Sequence, residues 1–215
     1  MALTRQEVRE VYRKRAKWYD VTANLYYVLG FREQAYRRKA VQLLNLQEGD
    51  TVVEIGCGTG LNFPLIQHSI GRGGKIIGVD LTSEMLDQAR LRVERHGWTN
   101  VELVCSSANE YEFHAGLGGI LSTFALTLEP QYDAVIKRGA EALISGTKFV
   151  VLDFKVPEHW PAWMVSLGMW ITRPFGVTID LGERHPWESI KHYLSNYQIL
   201  SFYWDLAYIA AGTKA

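Results

Sequence analysis

The chain has 215 residues and a formal net charge of zero, with 23 Lys or Arg against 23 Asp or Glu. That length suits one α/β domain with a sizeable core, and the neutral total makes nucleic acid an unfavourable partner. Two cysteines support neither a disulfide framework nor a metal site and fit a reducing cytoplasm. The basic, polar start lacks an apolar h-region, and no apolar run approaches the ~18–20 residues that cross a bilayer, so any membrane contact is expected to be peripheral.

Residues 1–45 are predicted to be helical with a break near Gly30, forming an N-terminal extension to an α/β domain over 46–215. Val8, Val11, Tyr12 and Tyr19 supply part of an apolar face among Arg5, Arg9, Arg13, Lys14, Arg15 and Lys17, and residues 1–40 hold ten basic side chains against four acidic ones. Strands are predicted at 51–56, 75–80, 101–105, 119–124 and 147–154, alternating with helices at 61–70, 83–96, 130–144 and 186–195. Gln198 to Thr213 reads as two further strands joined by a tight turn near Asp205. The pattern predicts an α/β fold, a Rossmann-like seven-stranded, mostly parallel sheet with helices on both faces and an antiparallel last strand. One stretch breaks the rhythm: an insert at about 157–178 carries Trp160, Trp163, Met164, Leu167, Met169, Trp170, Ile171 and Phe175. It reads as an apolar cap over the site, a lipid-interface segment, or a helix packed on the sheet edge.

Residues 52–60, Val-Val-Glu-Ile-Gly-Cys-Gly-Thr-Gly, run a buried strand into three alternating glycines. Gly56, Gly58 and Gly60 can take positive φ and let main chain approach a ligand, with the N–H groups of the following helix, expected from Leu61, pointing at it. A dinucleotide loop, G-x-G-x-x-G, would need glycine at position 61, which is Leu61. Lys75 to Asp80 reads as the next parallel strand, ending on an acid twenty positions after Gly60. A carboxylate at that place can accept both hydroxyls of a ribose. Thr82 or Ser83 then caps a helix with Glu84 in its first turn and Gly97 as its stop.

The pattern E-x-G-x-G-x-G over Glu54 to Gly60 resembles the first motif of class I methyltransferases that use S-adenosyl-L-methionine. With Tyr12 to Asp20, Asp80-Leu81-Thr82, Leu121 to Leu128 and Arg184 to Glu188, the chain resembles small bacterial-type phospholipid (phosphatidylethanolamine) N-methyltransferases and the related ubiquinone and menaquinone C-methyltransferases. Gly118 and Gly119 depart from the pattern at the start of the fourth strand, where an Asp is common. The resemblance implies that Glu54, Gly56, Cys57, Gly58 and Gly60 surround the methionine portion of the cofactor. It places Asp80 and Leu81 at the ribose and adenine edge, and Ser107 and Ala108 against adenine. Thr123 and Phe124 would line the reaction centre, with Tyr12 and Tyr19 folding over from the N-terminal helix, where Tyr19 offers a π-face to the sulfonium.

Methyl transfer from a sulfonium is an in-line displacement to which a protein contributes mainly placement. A protonated ethanolamine amine must first lose a proton, for which Tyr19, Asp20, His159 and Glu129 are the candidate acceptors. No metal cluster or nucleophile–base pair is readable. Lys155 and Arg184 are candidates for a lipid phosphate and Trp160 for substrate contact, and the basic N-terminal helix suits an anionic membrane surface. The expected activity is N-methylation of phosphatidylethanolamine and its mono- and dimethyl forms toward phosphatidylcholine, yielding S-adenosyl-L-homocysteine, by a cytoplasmic protein peripheral on the inner membrane face. The alternatives are C-methylation of a prenylated quinone or methylation of another apolar small molecule. A nucleic-acid methyltransferase is disfavoured by the neutral charge and by the lack of an Asn/Asp-Pro-Pro-aromatic motif after the fourth strand.

Overall fold

The structure, a computed structural model, describes residues 31–157, 160–161 and 184–215. Its elements in chain order are α1 (Glu33–Leu44), β1 (Thr51–Ile55), α2 (Phe63–Ile70), β2 (Lys75–Asp80), α3 (Ser83–His96), β3 (Val101–Cys105), β4 (Leu117–Thr123), a 3-10 turn (Leu126–Leu128), α4 (Tyr132–Ala142), β5 (Leu143–Phe154), α5 (Pro186–Tyr193), β6 (Ser195–Phe202) and β7 (Ala207–Thr213). They form a seven-stranded sheet in the order β3-β2-β1-β4-β5-β7-β6. The pairs among β1 to β5 are parallel, while β7 runs antiparallel between β5 and β6. The expected mostly parallel sheet with an antiparallel final strand is therefore what the chain forms.

The central strands are short apolar runs because both of their faces are covered. Val52 faces a cluster built with Ala40, Val41 and Leu44 of α1, Phe63, Ile66 and Ile70 of α2, and Leu86 and Ala89 of α3. Val53 and Ile55 face the other side, where α4 contributes Val135, Ile136 and Ala140 and α5 contributes Ile190. α1 thus shares the core of the sheet.

Gly118 and Gly119 have a packing reason. A Cβ on Gly118 would stand 2.5 Å from Asp50 Cγ, and one on Gly119 would stand 2.8 Å from Leu46 Cδ2, so the loop after α1 leaves no room for a side chain at the start of β4. The strand accordingly begins at Leu117, two residues before the predicted start, and its pairing with β5 shifts between Leu117 and Gly119. β5 begins at Leu143 rather than 147, directly after α4.

α2 starts at Phe63, not at Leu61: Asn62 stands at its N-cap position without a side-chain capping bond, and Pro64 suits the first turn. Thr82 is the N-cap of α3, but its side chain makes no capping bond. The Trp-rich insert and the helix over residues 1–30 lie outside the described residues.

Candidate functional site

The C-terminal ends of β3, β2, β1 and β4 lie side by side, and their following loops line one cleft that is open to solvent. Three strand spacings of ~4.8 Å make the row of loops roughly 14 Å across. Ser106, Ser107 and Ala108 follow β3, Asp80, Leu81 and Thr82 follow β2, Gly56 to Thr59 follow β1, and Thr123 to Ala125 follow β4. A ligand laid along this row meets acid and serine at one end and aromatic and guanidinium groups at the other.

The glycine loop turns sharply off β1. Gly56 has φ 67°, and a Cβ there would collide with Ala125 Cβ. The loop is tied to β2 by Gly56 and Cys57 N–H groups donating to Val79 O at 2.8 and 3.0 Å. From the far side, Arg92 Nε of α3 donates to Thr59 O at 2.9 Å. Asp80 locks the two loops together: Gly58 N donates to its Oδ2 at 2.8 Å and Thr82 N to its Oδ1 at 2.9 Å. A carboxylate has about four acceptor positions, so each oxygen keeps acceptor capacity for a vicinal diol. Burial pushes the Asp80 carboxyl up, and these two N–H bonds work against that rise.

Not every expected cofactor residue lines the cleft. Gly56, Cys57, Gly58, Asp80, Leu81, Ser107, Ala108, Thr123 and Phe124 do. Burial pushes the Cys57 thiol well up. Glu54 and Gly60 stand behind the cleft wall. Glu54 is fully buried and accepts from Asn62 Nδ2 at 2.6 Å, while its Oε2 has no partner. Desolvation pushes this carboxyl up to about 7, with Asn62 and Arg37 opposing. Gly60 abuts the Phe63 ring. Both residues brace the loop from beneath.

The three proposed substrate ligands sit elsewhere. Lys155 Nζ pairs with Asp205 Oδ1 of the β6–β7 turn at 2.6 Å. Arg184 NH1 donates to the carbonyls of Thr127 and Leu128 at 2.8 and 3.0 Å, so it clamps the turn after β4. Trp160 is half-buried, and like the other two it is not among the cleft-lining residues. Tyr12, Tyr19, Asp20 and His159 lie outside the described residues. Glu129 lines the cleft, is 8% exposed and accepts from Gln131 N at 3.1 Å.

Asp153, at the end of β5, accepts from Thr127 N and Phe154 N, each at 2.9 Å, and burial pushes its carboxyl up to about 6. Together with Arg184 it holds the turn that carries Leu128 and Glu129. Phe124 adopts φ 56°, an unusual conformation for a bulky residue. Its ring packs 4.8 Å from Phe154 and 6.0 Å from Phe31, and Phe31 stands 5.4 Å from Tyr203. Sequence reasoning passed over Arg37, a buried residue of α1 that lines the cleft, because Arg37-Arg38-Lys39 reads as one solvated basic run. The available signal was Glu33, one helical turn earlier.

The strand order, the glycine loop and the Asp80 clasp define the class I methyltransferase fold. The sequence profile of the ubiE/COQ5 methyltransferase family matches residues 1–175, and the chain belongs to that family of S-adenosylmethionine-dependent methyltransferases. It is 27% identical over 154 residues to a demethylmenaquinone methyltransferase of Bacillus cereus (strain B4264), covering 71% of this chain and 64% of that protein. The chain therefore spans less than two thirds of the length of the curated relatives it matches.

Among solved structures, it resembles geranyl diphosphate C-methyltransferase from Streptomyces coelicolor A3(2), determined with Mg2+, geranyl diphosphate and S-adenosyl-L-homocysteine. That likeness has a TM-score of 0.68 at 14% identity, over 85% of this chain and 79% of that one. It also resembles phosphoethanolamine N-methyltransferase 2 of Haemonchus contortus in complex with S-adenosyl-L-methionine, with a TM-score of 0.63 at 17% identity, over 82% and 52% of the two chains. At such identities these likenesses concern the fold.

Proposed function

We propose that this protein transfers a methyl group from S-adenosyl-L-methionine to a ring carbon of a reduced, prenylated quinone at a membrane surface. The observation that carries this reading is the make-up of the cleft's β4 end. Phe124, backed by Phe31, Phe154 and Tyr203, offers ring surface, whereas the cations expected to hold a lipid phosphate are engaged with Asp205 and with main-chain carbonyls. The demethylmenaquinone methyltransferase relatives point the same way.

The cofactor residues fit the donor. Asp80 would take the ribose hydroxyls, Ser107 and Ala108 the adenine edge, and the Gly56–Gly58 main chain the amino-acid tail. Bound there, S-adenosyl-L-methionine supplies an electrophilic methyl on a sulfonium. The protein's task is to hold the acceptor carbon in line behind that methyl, exclude water with the aromatic wall, and accept the proton of the acceptor's hydroxyl so that the ring carbon becomes nucleophilic. The carbon–sulfur bond breaks as the new carbon–carbon bond forms, leaving S-adenosyl-L-homocysteine, and the ring carbon then loses its own hydrogen as a proton to restore aromaticity. Glu129 is the proposed acceptor of the hydroxyl proton among the described residues.

Trp204 supports action at a membrane. It is 75% exposed on the β6–β7 turn, and its neighbour Tyr203 touches Phe31 of the aromatic wall, so an interfacial side chain stands close to the cleft. No helix of the described residues is long and apolar enough to cross a membrane. Trp204→Ala should reduce sedimentation with anionic vesicles; unchanged sedimentation would remove this contact.

Expression in a bacterial host lacking its demethylmenaquinone methyltransferase should restore menaquinone. Continued accumulation of the demethyl quinone with active protein present would count against the quinone reading. N-methylation of phosphatidylethanolamine is the second reading, favoured by the same aromatic rings, since a methylated ammonium is attracted to ring faces. It predicts mono-, di- and trimethylated ethanolamine lipids in the same cells.

A further inference from the structure

We infer that the Thr123 hydroxyl donates a hydrogen bond into the cleft to a ring oxygen of the methyl acceptor, so that the site selects a phenol or hydroquinone over an amine. This rests on the reading of the cleft as a site of methyl transfer to a quinone ring and names the group that recognises the acceptor. A hydroxyl has one hydrogen to donate and two acceptor positions. Thr123 Oγ1 accepts from Arg37 NH1 at 2.6 Å and from Asn62 Nδ2 at 2.9 Å, so both acceptor positions are taken.

Neither neighbour can accept in return. A guanidinium has hydrogens only. The Asn62 atom that reaches Thr123 also meets Glu54 Oε1 at 2.6 Å, and an atom shared between a carboxylate and a hydroxyl oxygen in this way is the amide nitrogen. The Thr123 hydrogen therefore points away from both, and among the described residues no oxygen takes it. Thr123 is 4% exposed and lines the cleft, so the cleft is where a partner for that hydrogen arrives. Burying a hydroxyl hydrogen without a partner is costly, which makes this a strong point of recognition.

The surroundings suit a ring. Thr123 stands two residues beyond Leu121, on the face of the sheet covered by α1, α2 and α3. In a regular strand the next side chain would turn to the opposite face. The φ of 56° at Phe124 breaks that alternation, and its ring joins the same cluster as Leu121. Hydroxyl and aromatic face thus sit on consecutive residues of one cleft wall, the second to pack an acceptor ring and the first to hold its oxygen.

The same geometry discriminates between acceptors. As Glu129 takes the proton of the acceptor's hydroxyl, the oxygen left behind becomes anionic, and a hydrogen bond to a charged oxygen is a strong one. The bond received from the Arg37 guanidinium polarises the Thr123 hydroxyl and improves it as a donor. An ammonium brings only hydrogens to meet this hydrogen. A neutral amine would give the hydroxyl the very lone pair with which it has to attack.

Thr123→Val and Thr123→Ser test the assignment with a reduced demethyl prenylquinone at pH 8, above the value of about 7 to which burial pushes Glu54. Thr123→Val should lower kcat/KM for the quinone by at least about tenfold, as expected for a lost hydrogen bond to a charged oxygen. Affinity for S-adenosyl-L-homocysteine by calorimetry should stay the same. Thr123→Ser, which keeps the hydroxyl, should recover most of the rate. An unchanged kcat/KM in Thr123→Val overturns the assignment, as does an equal or greater loss of S-adenosyl-L-homocysteine affinity, which would give the hydroxyl to the cofactor.

Valine leaves Arg37 and Asn62 without their shared acceptor, so the unaltered protein supplies a second measurement should that variant fail to fold. A prenylated 1-naphthol should bind at least about tenfold more tightly than the prenylnaphthalene that lacks the oxygen, and equal affinity overturns the proposal. If the unaltered protein methylates ethanolamine lipid and leaves the ring untouched, the quinone reading fails and this inference with it. Ring methylation that survives Thr123→Val at full rate removes this inference alone.

Discussion

Gly58 N donates to Asp80 Oδ2 at 2.8 Å, so the acid that closes β2 is also the acceptor that fixes the loop closing β1. Asp80→Ala should therefore do two things: release the glycine loop and remove the proposed ribose contact. Hydrogen bonds to a charged group are worth ~1.5–3 kcal/mol each, so affinity for S-adenosyl-L-homocysteine should fall at least tenfold, roughly, by calorimetry. Unchanged affinity would remove Asp80 from the site.

Gly56→Ala should be more damaging to the fold than its size suggests. The residue sits at φ 67°, which costs an L-residue ~1–2 kcal/mol, and the added methyl collides with Ala125 Cβ. Thermal unfolding should show a loss of several kcal/mol, and a melting temperature equal to that of the parent protein would contradict this account of the loop.

Stability should fall as pH rises from about 4.5 to 7. Glu54 has its carboxyl pushed from 4.5 to about 7 by burial, so the folded state holds a proton that the unfolded chain has already released. Above the unfolded value the folded state is progressively disfavoured, by on the order of 3 kcal/mol in total once both forms are ionised. Asp153, raised from 3.8 to about 6, adds in the same direction. Glu54→Gln, which keeps the bond from Asn62, should flatten the melting temperature between pH 5 and 7.5; an unchanged slope would mean that Glu54 titrates elsewhere.

The proposed substrate cations should separate by what they hold. Arg184→Met frees the carbonyls of Thr127 and Leu128 and should speed amide exchange at Leu128 and Glu129, whose N–H groups bond to Ala125 and Leu126. Lys155→Met removes a partly exposed ion pair with Asp205 and should change stability by ~0–1 kcal/mol. Equal exchange at the turn in both variants would deny Arg184 its clamping role.

Glu129→Gln tests the proton acceptor. A positioned general base typically contributes ~10²–10⁴-fold, so kcat should fall by that order while S-adenosyl-L-homocysteine affinity stays the same. An unaltered kcat would move the base to Tyr19, Asp20 or His159.

The row of loops at the site was readable in the sequence where local pattern and role coincide. β1 and β2 are short, mostly apolar runs because both faces are covered, and each ends at a residue whose chemistry is local, the glycines after Ile55 and the acid at Asp80. Glu54 looked like a ligand because it stands next to the glycines, but the pleat turns it away from the cleft into the core, where it meets Asn62. The partners of Lys155 and Arg184 were not legible for a tertiary reason: Asp205 and the 126–128 turn are brought to them only when the sheet assembles. Arg37 was hidden in a basic run whose neighbours Arg38 and Lys39 are exposed. The glycines opening β4 departed from the family pattern because the loop through Leu46 and Asp50 packs on them.

The most direct test of methyl transfer to a quinone ring is product analysis. The protein is incubated with methyl-deuterated S-adenosyl-L-methionine and vesicles containing both a reduced demethyl prenylquinone and phosphatidylethanolamine, followed by mass spectrometry of the extracted lipids. The account predicts one deuterated methyl on the quinone ring carbon and none on the ethanolamine nitrogen. Label confined to the ethanolamine headgroup, or an unlabelled quinone with fully active protein, would contradict it.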